Sequence, residues 1–580
     1  RLGVNAGDSI ASGGNYNVAI GDEAGTALTT GDSNVAVGYS ALKTEDAHGK
    51  NVAVGAEALE ALDAGADSYN VAVGYQAGTA LTSGIQNTLV GGLAGDVLTD
   101  ADYNVAMGVS ALGTDTKGSK SVAIGYSALT AQNFTTSTDT FNTAVGYGAG
   151  VAVTTGQGNT LLGGLAGDAL TDADYNVAVG YNSLGTSVLG SRSTAIGYQA
   201  LLTENPATAT DMYNTAVGFH SGLYITTGTQ NTLIGGLTGD ALTTGGLNVA
   251  LGYGALTTDD VGSKSVAIGH STLAVQNYAT ATDSFNTAVG HSAGAGVTTG
   301  VGNTLIGGLA GDALTDADYN VAVGKNALSS DTKGGFSTAI GINALEAQNF
   351  TTTTTTYNTA IGALAGGAIT TGINNTLVGG AAGDALTTGN RNTVMGEAAL
   401  SSDTLGARNV AIGNAALNAQ NFTTATDAYN TAVGYAAGAA VTTGAGQTLI
   451  GGLAGDAITS GADNTAVGYQ ALTTNQTGAN NTAVGVSALK LNTAAGGTAV
   501  GAYALDANIE AADNVAMGRG ALSSDTYGSK STALGRNALT VQNFATATDT
   551  YNTAVGYNAG LEVTTGTANT LIGGLAGDLI

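Results

Sequence analysis

Residues 142–213 decide the fold. They read NTAVGYGAGVAVTTGQG (142–158), NTLLGGLAGDALTDADY (159–175), NVAVGYNSLGTSVLGSR (176–192) and STAIGYQALLTENPATATDMY (193–213). Each line opens on a five-residue unit, Asn-(Val/Thr)-(Ala/Leu)-(Val/Ile/Leu)-Gly, with Ser replacing Asn in the fourth. A β-branched run bounded by Asn and Gly predicts a short strand. A 17-residue period is too short for a helix–turn–helix repeat. A second, weaker strand is expected at segments such as 152–155 (AVTT). Turns are expected at Ala-Gly and Thr-Thr-Gly, where Gly takes positive φ without a Cβ clash. Two short strands and two turns per coil describe an all-β parallel β-solenoid, a β-roll whose coils stack about 4.8 Å apart.

The same pattern extends outward in both directions. The unit occurs in 32 copies. Between Gly74 and Gly434 its closing glycines advance in sequence number by 17, 17, 17 and 21, five times over. Four distinct coils therefore cycle as a 72-residue superrepeat, interrupted around 464–513 and then resumed. The expectation is one continuous solenoid over residues 1–580, a rod on the order of 150 Å long. Both ends cut through a coil: Leu2 to Gly7 looks like the second half of one, and 569–580 stops before its coil closes. Solenoids need polar capping units, so the chain is read as the ordered part of a larger fibre whose caps and anchoring domains lie outside it.

Stacking gives each column a meaning. The opening residue is Asn in 25 of 32 copies. Asn142, Asn159, Asn176, Asn214, Asn231 and Asn248 are therefore expected to form a structural amide ladder from coil to coil. Strand alternation sends Thr143 and Val145 to one face and Asn142, Ala144 and Gly146 to the other. Both faces carry apolar atoms, and a strand apolar on both sides is buried on both. One face can cover the thin core of its own coil. The other needs a partner, so several parallel chains are expected to associate. Tyr recurs after the strand glycine (Tyr39, Tyr75, Tyr126, Tyr147, Tyr198) and before the Asn (Tyr69, Tyr103, Tyr175), as stacked aromatics supporting the rod; a sugar-binding strip is the sharper alternative.

Every fourth coil carries a Thr-rich addition: NFTTSTDT at 133–140, NFTTTTTT at 349–356, NFTTATD at 421–427. It also holds the only proline, Pro206, which cannot donate to a ladder. Asn133, Phe134, Thr135, Pro206, Asn349, Phe350, Asn421 and Phe422 are accordingly read as a loop protruding from the rod. Solvated decoration is the plain reading, receptor contact or glycan attachment the sharper one. The Asn-x-Thr triplets at Asn133, Asn349 and Asn421 are expected by chance in this composition. The preceding coil ends in a cation at Lys120, Arg192, Lys264, Arg408 and Lys530, with Phe336 as the exception; pairing with a nearby acid such as Asp115 is expected.

Composition excludes several functions. With 15 basic and 42 acidic side chains the net charge is −27. Such a surface repels phosphate backbones and anionic lipid, which argues against nucleic acid and membrane surfaces. No apolar run of about 18 residues would insert in a membrane. Cys is absent, so there is no disulfide scaffold, and neither a starting Met nor a signal peptide is visible. Gly290-His291-Ser292-Ala293-Gly294 matches the G-x-S-x-G nucleophile elbow, yet other coils carry GYGAG there and no α/β context is expected. The segment 163–168 (GGLAGD) is reminiscent of calcium-binding nonapeptides at the wrong offsets. With Asp172 and Asp174, Asp168 makes a weak Ca²⁺ candidate and otherwise an acidic edge. His48, His220, His270 and His291 are scattered without metal spacing. Asp463, Asp506, Glu510 and Asp513 in the aberrant region do not cluster as a glycosidase would need. Thr runs sit in one coil of four, not on the regular face an ice- or mineral-binding protein needs. No enzyme activity and no cofactor is expected.

The pattern NxAVGxxA at 142–149, and more loosely at 193–200, resembles the head repeats of YadA-like trimeric autotransporter adhesins. The longer NTAVGYxAGxxxTTG is similar to repeats of marine bacteriophage tail fibres. The resemblance covers essentially the whole chain, although the adhesin coil is shorter than the coil found here. It implies a left-handed, homotrimeric rod outside the cell, on a cell surface or virion. Such a rod serves as spacer and attachment element towards a host glycan or protein receptor. The alternatives are a glycan-degrading fibre or an ice- or mineral-binding repeat protein.

Overall fold

The computed structural model describes residues 2–579 and, among them, contains strands and turns but no helix. The chain divides into two compact units, one through Asn286 and one from Thr287. The first holds fifteen three-residue strands, from Val18–Ile20 to Val266–Ile268. The second holds seventeen, from Thr287–Val289 to Thr570–Ile572. Each unit is a parallel β-solenoid. Within a unit consecutive strands of this kind pair in parallel, residue for residue, as in Ala144↔Leu161 and Leu161↔Ala178. The irregular region obeys the same rule: Ala466↔Ala483, Ala483↔Ala499 and Ala499↔Ala516 stay in register. The shortened coil there loses its residue from a turn and not from a strand.

The invariant glycine has two causes. At Gly163 φ is +141°, a region L-residues rarely enter. A Cβ on Gly163 would also lie 2.5 Å from the carbonyl oxygen of Gly180 in the next coil. The turn then winds through left-handed backbone at alternate residues, Asn182 (φ 57°) and Leu184 (φ 51°) among them. Leu in this conformation is strained. Its backbone N–H donates to Ala200 O at 3.1 Å and its side chain is fully buried, which holds the turn in place.

Core packing explains why four coils cycle and not one. The central strand residues Ala144, Leu161, Ala178 and Ala195 are all fully buried. Two coils place Leu184 and Leu201 four positions beyond the strand glycine, and two place Gly150 and Gly167 there. A Cβ on Gly150 or Gly167 would meet Leu161 methyls at 2.7 and 2.8 Å. The one large strand residue thus fills the space above and below it that two leucines would otherwise occupy. Interiors are packed closely enough that such volume must be shared between neighbours.

The second strand expected at 152–155 is absent; the backbone turns there. Thr154 N donates to Thr171 O at 2.9 Å and so ties this turn to the next coil. Extra strands occur instead where the third coil meets the long one. Gly118–Ser119 pairs with Thr138–Asp139, and Gly190–Ser191 with Thr210–Asp211. The added residues of the long coil let its backbone straighten beside its neighbour.

A paired substitution separates steric from compositional reasons for glycine. Gly163→Ala should destabilise its coils by about 3 kcal/mol or more. Gly164→Ala, whose Cβ would find nothing nearer than Tyr181 at 3.6 Å, should stay within about 0.5 kcal/mol. Hydrogen exchange over 159–192 reads both, because solenoid coils open locally. Equal losses at the two positions would contradict the clash.

Candidate functional site: the polar column and the outward strand face

Asn142, Asn159, Asn176, Asn214, Asn231 and Asn248 are buried, at most 1% exposed. Each amide does two jobs. Asn159 Nδ2 donates to Ala173 O at 2.8 Å, further along the same coil, and so closes the coil. Asn159 Oδ1 accepts the backbone N–H of Asn176 at 3.0 Å, and so joins it to the next. Asn142, Asn176 and Asn214 repeat the closure on Gly156, Gly190 and Gly228. Side chain to side chain contacts such as Asn231 Nδ2 to Asn214 Oδ1, at 3.2 Å, are secondary. The column is therefore a series of staples between side chain and backbone more than an amide ladder. Gln447 serves in the same way, donating to Gly461 O.

The long coil uses a different closure, which the sequence pattern does not announce. Gln132 donates to Asp115 Oδ2 at 2.5 Å and to Ser121 Oγ at 2.9 Å, and accepts from Asn142 at 2.9 Å. Asp115 Oδ1 in turn accepts the N–H groups of Gly118 and Phe134, both at 3.1 Å. Asp115 and Gln132 are fully buried. Asp331 with Gln348, and Asp525 with Gln542, repeat the pair. One superrepeat inverts it. Pro206 stands where Phe134 stands and has no N–H to give. There Ser187 replaces the aspartate and Glu204 replaces the glutamine, so the carboxylate moves one coil along. Glu204 accepts from Ser193 and from Asn214 at 2.9 Å. Burial pushes its carboxyl up to about 7, against the opposing pull of those two bonds.

The other strand face points out of the coil. Leu162, Ile196 and Ile234 are 37–38% exposed, and Ile306, Ile450 and Met517 are similarly placed in the second unit. An aromatic column runs along each margin of this strip. One lies just past the strand glycine, where Tyr126 stacks on Tyr147 at 5.5 Å and Tyr198 lies between Tyr181 and Phe219 at 5.6 and 5.5 Å. The other precedes the Asn and includes Tyr69, Tyr103 and Tyr175, all roughly half exposed. The strip is thus a run of partly exposed apolar side chains bordered by aromatics.

The cations sit on the second aromatic column, and their partner differs from the expected one. Lys120 pairs with Asp139 at 2.5 Å, not with the buried Asp115, which faces the coil interior. Arg192, Lys264 and Lys530 pair likewise with Asp211, Asp283 and Asp549. Lys120 also lies 5.3 Å from the Phe141 ring and Arg192 5.3 Å from that of Tyr175. Where Phe336 replaces the cation, Thr355 replaces its acid, and Phe336 packs between Tyr319 and Tyr357 at 5.1 and 5.7 Å. The two changes together leave no unpaired charge. Exposed pairs of this kind contribute little stability.

The protruding loop is smaller than the sequence suggests. Asn133, Thr135, Asn349 and Asn421 are exposed, but Phe134, Phe350 and Phe422 are only 6–7% exposed and Pro206 is buried. The Phe134 N–H is held by the buried Asp115, and the position is buried even in the coil where Pro206, without an N–H, occupies it. The exposed run after it is short, 135–137 in this coil. The calcium candidates do not converge. Asp172 accepts from Thr155 and Asp174 from the N–H of Gln157 in the preceding coil, while Asp168 Oδ1 is buried with no partner. Ser292 of the G-x-S-x-G match follows a strand but precedes only turns. Compared with known proteins, the chain matches no family model and has no significant match among curated proteins.

The inverted pair makes a pH prediction. The folded carboxyl of Glu204 holds its proton where the unfolded chain, at about 4.5, has lost it. Stability contributed at this site is therefore intact below about 4.5, falls as pH rises towards about 7, and stays reduced above that. Glu204→Gln, which keeps the acceptor for Asn214 and places a neutral amide beside Ser187, should match the parent protein at pH 4 and exceed it by roughly 1–3 kcal/mol at pH 8. The difference between the two proteins in denaturant unfolding checks this; a difference that does not vary with pH would refute it.

Proposed function

We propose that this chain is a structural fibre protein, an extracellular spacer and attachment element of a cell surface or virion, and not an enzyme. In this reading three copies run parallel as a left-handed homotrimer, with their outward strand faces packed together. The observation that carries it is the apolar strip itself. Val, Ile, Leu and Met alternate with Thr along it, aromatics flank it, and it recurs on coil after coil. A chain carrying −27 charges can expose such a strip without general aggregation only if it is covered in a defined way. The aromatic margins suit a parallel, in-register neighbour, since every coil offers the same side chains at the same height. The YadA-like pattern of residues 142–149 supports three chains over two. Host contact, to a glycan or protein receptor, is assigned to the exposed threonines that follow Asn133, Asn349 and Asn421, which recur at one position in four coils.

Sedimentation equilibrium of the purified chain tests the assembly. The expected species has three times the 56.2 kDa chain mass. Ile196→Lys combined with Ile234→Lys, on the outward face, should yield monomers that keep the β-type circular dichroism. A parent protein that is monomeric at micromolar concentration would overturn the proposal.

A further inference from the structure

One place in the first unit departs from the repeat in several ways at once. In the coil 34–50, Glu45 stands where Asp115 stands in its own coil. The next coil, 51–69, has a length that no other coil shares, and carries Leu62 where Gln132 would be. Glu45 is thus a fully buried carboxylate whose usual amide partner has been replaced by a methyl-ended side chain. Its Oε1 accepts the N–H of His48 at 3.2 Å, and its Oε2 has no hydrogen-bond partner. A buried carboxylate oxygen left in this state is costly.

His48 is a further departure. That position, third from the end of its coil, is Gly or Ala in every other 17-residue coil. Its carbonyl still closes the coil by accepting from Asn34 at 3.1 Å, so the backbone role is unchanged and the imidazole is an addition. Its Nδ1 lies 3.7 Å from Glu45 Oε1 and has no hydrogen-bond partner. Asp46 and Asp63, at equivalent positions in the two coils, complete the group. One ligand atom from each of Glu45, Asp46, His48 and Asp63 lies within 4.8 Å of all the others. Scattered along the sequence, the histidines show no metal spacing; stacking brings this one to three carboxylates, and it is the only such group among the described residues.

We propose that Glu45, Asp46, His48 and Asp63 bind a divalent cation of the zinc class. One imidazole nitrogen with carboxylate oxygens is a donor set zinc accepts, in four-coordinate sites with ligands about 2.0–2.2 Å away. Calcium takes oxygen ligands and would leave the imidazole unused. Asp46 and Asp63 are exposed and His48 is half-exposed, so their side chains are free to close on an ion beside the fixed Glu45. Three ligands come from one coil and one from the next, so the ion would clamp the joint where the regular spacing is broken.

Isothermal titration of the full-length chain with Zn²⁺ tests the site. The expected result is one saturable site per chain, with Zn²⁺ bound at least about tenfold more tightly than Ca²⁺. His48→Gly, which restores the residue usual at that position, and Asp63→Asn, at an exposed side chain, should each weaken Zn²⁺ binding about tenfold or more. Hydrogen exchange over 34–69 should slow on adding Zn²⁺ to the parent and not to either variant. Absence of a saturable site, equal affinity in parent and Asp63→Asn, or Ca²⁺ bound as tightly as Zn²⁺ would each overturn the assignment.

Discussion

Everything in this molecule depends on successive coils meeting in parallel register, backbone to backbone, with no offset. A three-residue strand has almost no pairing energy of its own, and its ladder exists only because a neighbour repeats it above and below. Register is held at three points in each coil. The strand residues pair one to one, and the glycine removes the Cβ that would strike the next carbonyl. In the coils that open on Asn the amide ties its own coil shut while gripping the next, a role that the buried Asp–Gln pair takes over at most of the long coils. A shift of one residue would turn Ala144 outward and drive Val145 into a core sized for alanine.

That constraint explains how the chain tolerates variation. Changes at one height are matched at the next. Leu161 is compatible with Gly150 and Gly167 because it supplies the volume they lack. Ser187 accompanies Glu204, and Thr355 accompanies Phe336. The leucine restores the volume that the glycines lack and Thr355 restores the charge balance, whereas Ser187 only removes a second buried carboxylate and leaves its own hydroxyl without a partner. The four-coil superrepeat is thus a packing solution whose unit is a set of coils, and its glycines and leucines cannot be exchanged singly.

Much of this is legible in the sequence. The five-residue unit marks its own strand, the Ala-Gly pair marks a turn with the expected positive φ (59° at Gly150), and the alternation around Ala144 separates core from outward face, since all three are local rules. The glycine of Thr-Thr-Gly does not take the expected positive φ, and Gly156 is required instead because a Cβ there would lie 2.3 Å from Ala173 O in the next coil. What is not legible is pairing between residues one coil apart. Asp115 and Gln132 look like unrelated polar residues in the linear text, and Lys120 looks closer to Asp115 than to Asp139. Only stacking shows that one acid faces inward and the other lies beside the cation. Phe134 reads as exposed because its neighbours are threonines, although its column is buried in the stack, with Phe350, Phe422 and Pro206 at the equivalent positions. His48 escapes notice for the same reason: its oddity is its column, where glycine and alanine are usual, and not its neighbours in sequence.

The central claim is the in-register stack, and X-ray diffraction from an oriented film of the purified protein tests it most directly. The account predicts a sharp reflection at about 4.8 Å along the stacking direction. A pattern without that spacing, or one dominated instead by the pitch of α-helices at about 5.4 Å, would contradict it.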